Sequence, residues 1–306
     1  MTMNRFCQVV CSCLWVTIVS SLSPVWADNL FAVETLRAGF YTRAFPDFSK
    51  EDLEVSVKLL SEEIGDTVGI KTTVTVFEDI AALRQAFEQG EINFAVASSF
   101  NFANEFDNNV LADGFRLTVN SVNPDSILVL SRKNEGLDTI KSLLGKRLAL
   151  VETNPIADLY IDFLAHSNFH KDVQTAFSVI LREKKANQVI LKLFFGQTDV
   201  ACVYQNAYKL ATELNPQLLT KLQILSQLDD IPFGGGYFHK KVPSEFRERV
   251  ISEALKLSNN PRGQQLLELF KADKVVRSTL DDLVSTKRLY SEYKKLGKKR
   301  ERVAIR

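Results

Sequence analysis

Four short segments concentrate hydroxyl, amide and aromatic side chains: Tyr41-Thr42-Arg43, Ser98-Ser99-Phe100-Asn101, Glu152-Thr153-Asn154 and Tyr204-Gln205-Asn206. Their chemistry is hydrogen-bonded capture of a polar solute. Hydroxyl and amide groups would donate to its oxygens, Tyr41 and Phe100 would wall it off, and Arg43 would either pair with it or face solvent. Each segment follows a strand-like run. In open parallel sheets, ligands lie beyond the carboxyl ends of the strands, where helix N-termini present free backbone N–H groups. Ordinary helix capping accounts for Ser98, Ser99 or Asn154 taken singly. Four such segments at one set of strand ends point to a small-molecule site.

Catalytic patterns are missing. The sequence has no Gly-x-Ser-x-Gly elbow, no His-Glu-x-x-His pair and no phosphate loop ending in Gly-Lys-Ser/Thr. Gly234-Gly235-Gly236 lacks that continuation and reads as a turn into a returning strand. Of the three histidines, His166 and His170 stand four apart without an adjacent third ligand, which favours surface or helix-end histidines over zinc. Asp229-Asp230 and Asp281-Asp282 read as a turn and a helix start. The expectation is a binding protein without metal or cofactor, not an enzyme.

The segments need a scaffold, and strand and helix patterns alternate to supply one. Leu36–Tyr41 reads as a strand, and Leu53, Val57, Leu60 and Ile64 form a helical stripe. Lys71–Phe77 alternates valine and threonine as a strand does. Asp79 is a candidate N-cap, Ile80, Leu83 and Phe87 share a face, and Gly90 closes that helix. Phe94–Ala97 is a short strand. Helical crossovers between strands call for a parallel sheet covered on both sides.

A second round follows without sequence repetition: strands at Ser126–Leu130, Arg147–Val151, Phe177–Leu181 and Val200–Tyr204, with a helix at Ala186–Phe195. Another helix starts at Asn154 and Pro155 and carries the stripe Ile156, Leu159, Tyr160, Phe163, Leu164. Asp229–Gly236 reads as turn-rich, Tyr237–His239 as a strand, and Pro243–Leu257, Arg262–Phe270 and Leu280–Leu296 as helices returning to cover the first sheet. The implied domains are a discontinuous first lobe, 28–123 and 228–306, and a second lobe, 124–227. Crossings near Ser121–Asp125 and Gln227–Pro232 would form a hinge over a cleft.

Arg5, the apolar run Phe6–Val19 and Val25-Trp26-Ala27 predict a secretory signal over 1–27, cleaved before Asp28. The alternative is an uncleaved membrane anchor, since Phe6–Trp26 just reaches a bilayer's width. Three of the four cysteines fall in that segment, leaving Cys202 alone in an apolar run, a buried thiol without a disulfide framework. That composition suits a bacterial periplasm. Lys and Arg number 38 against 37 Asp and Glu, so nothing global calls for nucleic acid or an anionic membrane. Lys294–Arg306 is basic and reads as a frayed, solvated tail.

The chain resembles the solute-binding proteins of phosphate/phosphonate-type ABC transporters, which have a bilobal, type 2 periplasmic binding fold. The resemblance spans about Leu36 to Leu296. It rests on Leu36-Arg37-Ala38-Gly39-Phe40-Tyr41, Gly90-Glu91-Ile92-Asn93-Phe94-Ala95, Ser142-Leu143-Leu144-Gly145-Lys146-Arg147-Leu148-Ala149, Gly196-Gln197-Thr198-Asp199-Val200-Ala201 and Asn259-Asn260-Pro261-Arg262-Gly263. It implies oxyanion contacts at Tyr41, Ser98–Asn101 and Thr153–Ile156, with Tyr204, Gln205 and Asn206 at the other end of the ligand. Where phosphonate binders show consecutive hydroxyls, this chain has Thr153-Asn154-Pro155-Ile156 preceded by Glu152. Pro155 lacks an N–H, and an inward Glu152 would repel an anion.

The expectation is therefore an exported, monomeric α/β protein closing two lobes on a small polar solute, with phosphonate, phosphite and phosphate as candidates. It would then dock on a membrane permease. A sensory module acting on a membrane-bound kinase or cyclase is the alternative, and an exported enzyme on the same scaffold a second one.

Overall fold

The computed structural model describes residues 35–45, 48–118, 125–152 and 154–304, without the side chains of 125 and 298–304. The expected signal segment 1–27 and Thr153 lie outside the described residues.

The first run comprises β1 (Thr35–Tyr41), α1 (Lys50–Val68), β2 (Lys71–Phe77), α2 (Ile80–Glu88), β3 (Phe94–Ser98), α3 (Ser99–Glu105), β4 (Leu111–Ala112) and β5 (Gly114–Thr118). The second comprises β6 (Asp125–Arg132), β7 (Arg147–Val151), α4 (Pro155–Phe169), α5 (Val173–Ala176), β8 (Val179–Glu183), α6 (Ala186–Phe194), β9 (Val200–Tyr204), α7 (Gln205–Leu214), α8 (Gln217–Lys221) and β10 (Leu222–Ile231). The chain ends with β11 (Gly234–His239), α9 (Ser244–Ala254), α10 (Pro261–Leu269), β12 (Lys274–Ser278) and α11 (Val284–Ala304).

Local chemistry sets the helix boundaries. Ser49 accepts the Asp52 N–H to start α1, and Gly69 at φ 77° ends it, as only a residue at ease in the left-handed region can. The Asp79 side chain accepts from the Ala81 N–H at 2.7 Å to start α2. Asn154 accepts from the Ala157 N–H at 3.1 Å ahead of Pro155, starting α4.

Two five-stranded sheets result, in the orders β2-β1-β3-β11-β4 and β10-β6-β9-β7-β8. In each, three strands are mutually parallel (β2-β1-β3 and β9-β7-β8), and two antiparallel strands complete one side. A small third sheet pairs β12 with β5. Each large sheet is covered on both faces. In the first, Leu53, Val57, Leu60 and Ile64 of α1 join Val250 and Leu267 over one face, and Leu83, Phe87 and Phe102 cover the other. In the second, Ile156 and Tyr160 of α4 pack on one face, and Val189, Leu193 and Tyr208 on the other. This is the two-lobed α/β architecture the alternation predicts. Among the described residues no helix is long and apolar enough to cross a membrane.

The structure corrects the chain's later half. Residues 222–231 form the long edge strand β10, with register shifts at Ile224/Ser226 and Leu228/Ile231. Asp229 and Asp230 therefore belong to a bulged strand, where Asp230 sits at φ 60°, and not to a turn. The chain passes from β10 to β11 through Pro232-Phe233, and the expected crossing near Ser121–Asp125 lies almost wholly outside the described residues. The strand expected at Phe177 starts at Val179, because the Phe177 N–H closes α5 on the Val173 carbonyl. The last helix does not simply return to the first sheet. Leu289 is buried in the second lobe's core, and the Tyr293 hydroxyl donates to Asp162 of α4.

Candidate functional site

A cleft of about 920 Å³ opens where the carboxyl ends of the parallel strands of both sheets meet. On the first-lobe side, strand alternation decides who lines it. Leu36, Ala38 and Phe40 point towards α1 and the cleft, whereas Tyr41 enters the opposite face, buried with Leu83 and Phe87. The expectation that Tyr41 walls the cleft is thus replaced by its neighbour Phe40.

Beyond β1, Phe45, Phe48 and Phe270 make a half-buried aromatic cluster along the cleft. Phe48 stacks on Phe270 at 5.4 Å between centroids, and Phe45 meets the two edge-on at 6.3 and 6.1 Å. These geometries are the favoured ones for ring quadrupoles.

Gly234, Gly235 and Gly236 also line the cleft, and they are strand residues of β11 paired with β3, not the turn expected. The absence of side chains has a steric cause. A Cβ on Gly236 would lie 2.1 Å from the Phe94 ring, and one on Gly234 would lie 2.8 Å from the Ala97 carbonyl oxygen. The glycines let the strand run close against its neighbours and leave the volume above it open.

The second lobe contributes a polar rim. Val151 ends β7 and Glu152 and Asn154 follow it, Lys184 and Lys185 follow β8, and Tyr204, Asn206 and Leu210 belong to the end of β9 and to α7. Phe233, on the passage between sheets, leans over Tyr204 with centroids 5.3 Å apart. Lys184 and Lys185 are exposed and have no carboxylate partner among the described residues. Arg116 also lines the cleft but is neutralised by Asp282 and donates to the Ser278 hydroxyl. Glu152 is the one carboxylate among the lining residues.

Of the residues singled out from sequence, Asn154, Tyr204 and Asn206 line the cleft. Tyr41, Arg43, Ser98, Ser99, Phe100, Asn101 and Gln205 do not, and Thr153 is outside the described residues. Ser98 is occupied as the N-cap of α3, accepting from the Asn101 N–H at 3.2 Å. The Ser99 hydroxyl is buried with no hydrogen-bond partner among the described residues. Phe100 meets Tyr290 of α11 edge-on. Arg43 and Gln205 are exposed. Sequence reasoning missed Phe40, Phe45, Phe48, Phe270, Lys184 and Lys185. The two lysines were findable as the residues directly after a strand.

Cys202 is fully buried in β9, and burial pushes its thiol far above the ordinary range. The His166 ring nitrogen meets the Asp162 carbonyl one turn back in α4, and His170 sits beyond the helix end in the left-handed region. No cluster of three potential metal ligands occurs among the described residues.

Comparison with known proteins agrees with this architecture. The sequence profile described as "ABC transporter, phosphonate, periplasmic substrate-binding protein" matches residues 43–283. No curated protein matches the chain. A binding-protein component of a phosphonate ABC transporter from Pseudomonas aeruginosa superposes with a TM-score of 0.54 at 15% identity, over 86% of this chain and 87% of that one. A Xanthomonas citri protein bound to ATP gives 0.58 at 11%, over 87% and 99%. A Prochlorococcus marinus protein in complex with methylphosphonate gives 0.53 at 14%, over 87% and 99%. At these identities the superpositions establish the type 2 periplasmic binding fold alone. The profile match establishes that the chain belongs to the family of periplasmic substrate-binding proteins of phosphonate ABC transporters.

Proposed function

From that family membership as premise, we propose that the protein captures a small anionic solute in the cleft between its lobes and delivers it to an ABC-transporter permease. One observation carries the reading. The cleft is bounded by strand ends of both sheets, with Lys184 and Lys185, which have no carboxylate partner among the described residues, beside Asn154, Tyr204 and Asn206 on the second-lobe rim. A solute touching both rims favours the closed arrangement by its contacts with the second lobe, which the open form lacks. The oxyanion would lie near the two lysines and the α6 start. Tyr41, Ser98, Ser99, Phe100 and Asn101 serve packing and capping in this scheme. The lobes are residues 28–123 with the chain from 232 on, and 124–231, with α11 bridging them.

The role is transport and not catalysis, and the protein works as a monomer in the periplasm after removal of residues 1–27. A phosphonate head group is favoured because the Prochlorococcus marinus relative is in complex with methylphosphonate. A thermal-shift panel of phosphate, phosphite, methylphosphonate and sulfate tests the proposal. A rise in melting temperature with at least one of these oxyanions is expected. Flat responses to all of them would remove oxyanion capture. The mass of the protein recovered from the periplasm tests the cleavage.

A further inference from the structure

We infer that the captured solute is an amphiphilic anion, an oxyanion head joined to an alkyl or aryl body that lies against the first lobe. This deepens the proposal above and rests on its assignment of the cleft as the solute site. The two sides of the cleft differ sharply in chemistry. The first-lobe side presents Phe40, Phe45, Phe48, Val96, Leu117 and Phe270; of its two lining cations, Arg116 is already paired with Asp282 and Lys271 is likewise engaged. The second-lobe side presents Lys184 and Lys185, which have no carboxylate partner among the described residues, against a single lining carboxylate, Glu152.

A bare oxyanion suits the second side, where two lysines stand together. Buried apolar walls offer it no hydrogen bonds, and a charged group left in such surroundings without partners is strongly disfavoured. Size points the same way. If each heavy atom occupies about a water's share of ~30 Å³, a five-heavy-atom oxyanion such as methylphosphonate fills roughly 150 Å³. The cleft holds about 920 Å³, which is within the range typical of sites for much larger organic molecules. Half-buried Phe45, Phe48 and Phe270 on the first-lobe side are apolar surface that a hydrocarbon body would cover. The charge lies where the head would go, and the apolar surface lies where the tail would go.

Titration calorimetry of the full mature protein with methyl-, butyl- and octylphosphonate, and with 1-octanol, tests the inference. Affinity should rise about fourfold per added methylene from methyl to butyl, the factor expected for burying each CH₂ group. Octylphosphonate should bind more tightly than either, and 1-octanol at least tenfold more weakly than octylphosphonate. The exposed pair Lys184→Gln and Lys185→Gln should reduce octylphosphonate affinity about tenfold and leave that for 1-octanol unaltered. Methylphosphonate binding as tightly as octylphosphonate would overturn the amphiphile while leaving oxyanion capture intact. 1-Octanol binding as tightly as octylphosphonate would overturn the need for an anionic head. No binding by any phosphonate would remove the underlying oxyanion reading, and the amphiphile with it.

Discussion

Asn93 and Asp199 hold equivalent places in the two sheets. Asn93 accepts the backbone N–H of Arg37 at 2.8 Å, and Asp199 accepts that of Arg147 at 2.9 Å. Each follows a glycine in the left-handed region, Gly90 at φ 77° and Gly196 at φ 72°, that ends the preceding helix. The arginines match as well. Arg37 donates to the Gly90 carbonyl and Arg147 to the Gly196 carbonyl. The same side-chain clamp therefore fixes where the helix after one strand re-enters the sheet, once in each lobe, and so aligns the strand ends that meet at the cleft.

The clamp gives a pH signature. Hydrogen bonds from Arg147, together with its charge, hold the Asp199 carboxyl down to about 2, below its ordinary value near 4. A depressed carboxyl contributes stability that is present above the unfolded value and lost as pH falls through the folded one. Asp199→Asn should therefore destabilise by roughly 1–2 kcal/mol at neutral pH. Its deficit against the wild type should shrink between about pH 4 and pH 2. Urea unfolding at stepped pH measures it, and a deficit constant across that window would contradict the assignment.

The adjacent residues Phe40 and Tyr41 face opposite sides of β1, so replacements around them should separate stability from binding. Tyr41→Ala removes a ring buried among Leu83 and Phe87 and should cost about 3–5 kcal/mol of stability. Phe45→Ala removes a half-buried ring from the cleft and should lower octylphosphonate affinity about fivefold, from ~1 kcal/mol of lost apolar contact. Denaturation and calorimetry on both variants decide the matter. Equal loss of affinity at both positions would put Tyr41 in the site.

Gly236→Ala should destabilise by about 1–3 kcal/mol, because the new methyl meets the Phe94 ring. Pairing it with Phe94→Leu should recover part of the loss in thermal melts. A neutral Gly236→Ala would show that β11 can move away from β3.

Cys202 should resist thiol reagents in the native protein and react stoichiometrically once unfolded, since it is fully buried and its thiol is pushed upward. Rapid native labelling, followed by absorbance with an aromatic disulfide reagent, would mean that β9 opens readily.

The sequence exposes the parallel cores more clearly than the antiparallel additions. Leu53, Val57, Leu60 and Ile64, or the alternation of Lys71–Phe77, announce their elements because one face of each is buried and the other is not. The strand β10 hides because it is an edge strand, with Ser226, Gln227, Asp229 and Asp230 interrupting its apolar residues. Triple glycine reads as a turn, and only the packing of Phe94 shows it to be a requirement for close approach within a strand. The site is half legible for a similar reason. Strand ends are visible, which places Asn154, Tyr204 and Asn206. At β1, however, Phe40 and Tyr41 are both large aromatics, so sequence cannot tell which one faces the cleft. Phe270 comes from a helix end more than two hundred residues further along the chain than Phe40.

The central claim is that one solute draws both lobes together. Spin labels at Arg43→Cys on the first lobe and at exposed Leu214→Cys on the second, outside the cleft lining, report the distance between the lobes by pulsed dipolar spectroscopy in a Cys202→Ala background. Saturating octylphosphonate should shorten and narrow that distribution. Bound ligand with an unchanged distribution would contradict the account.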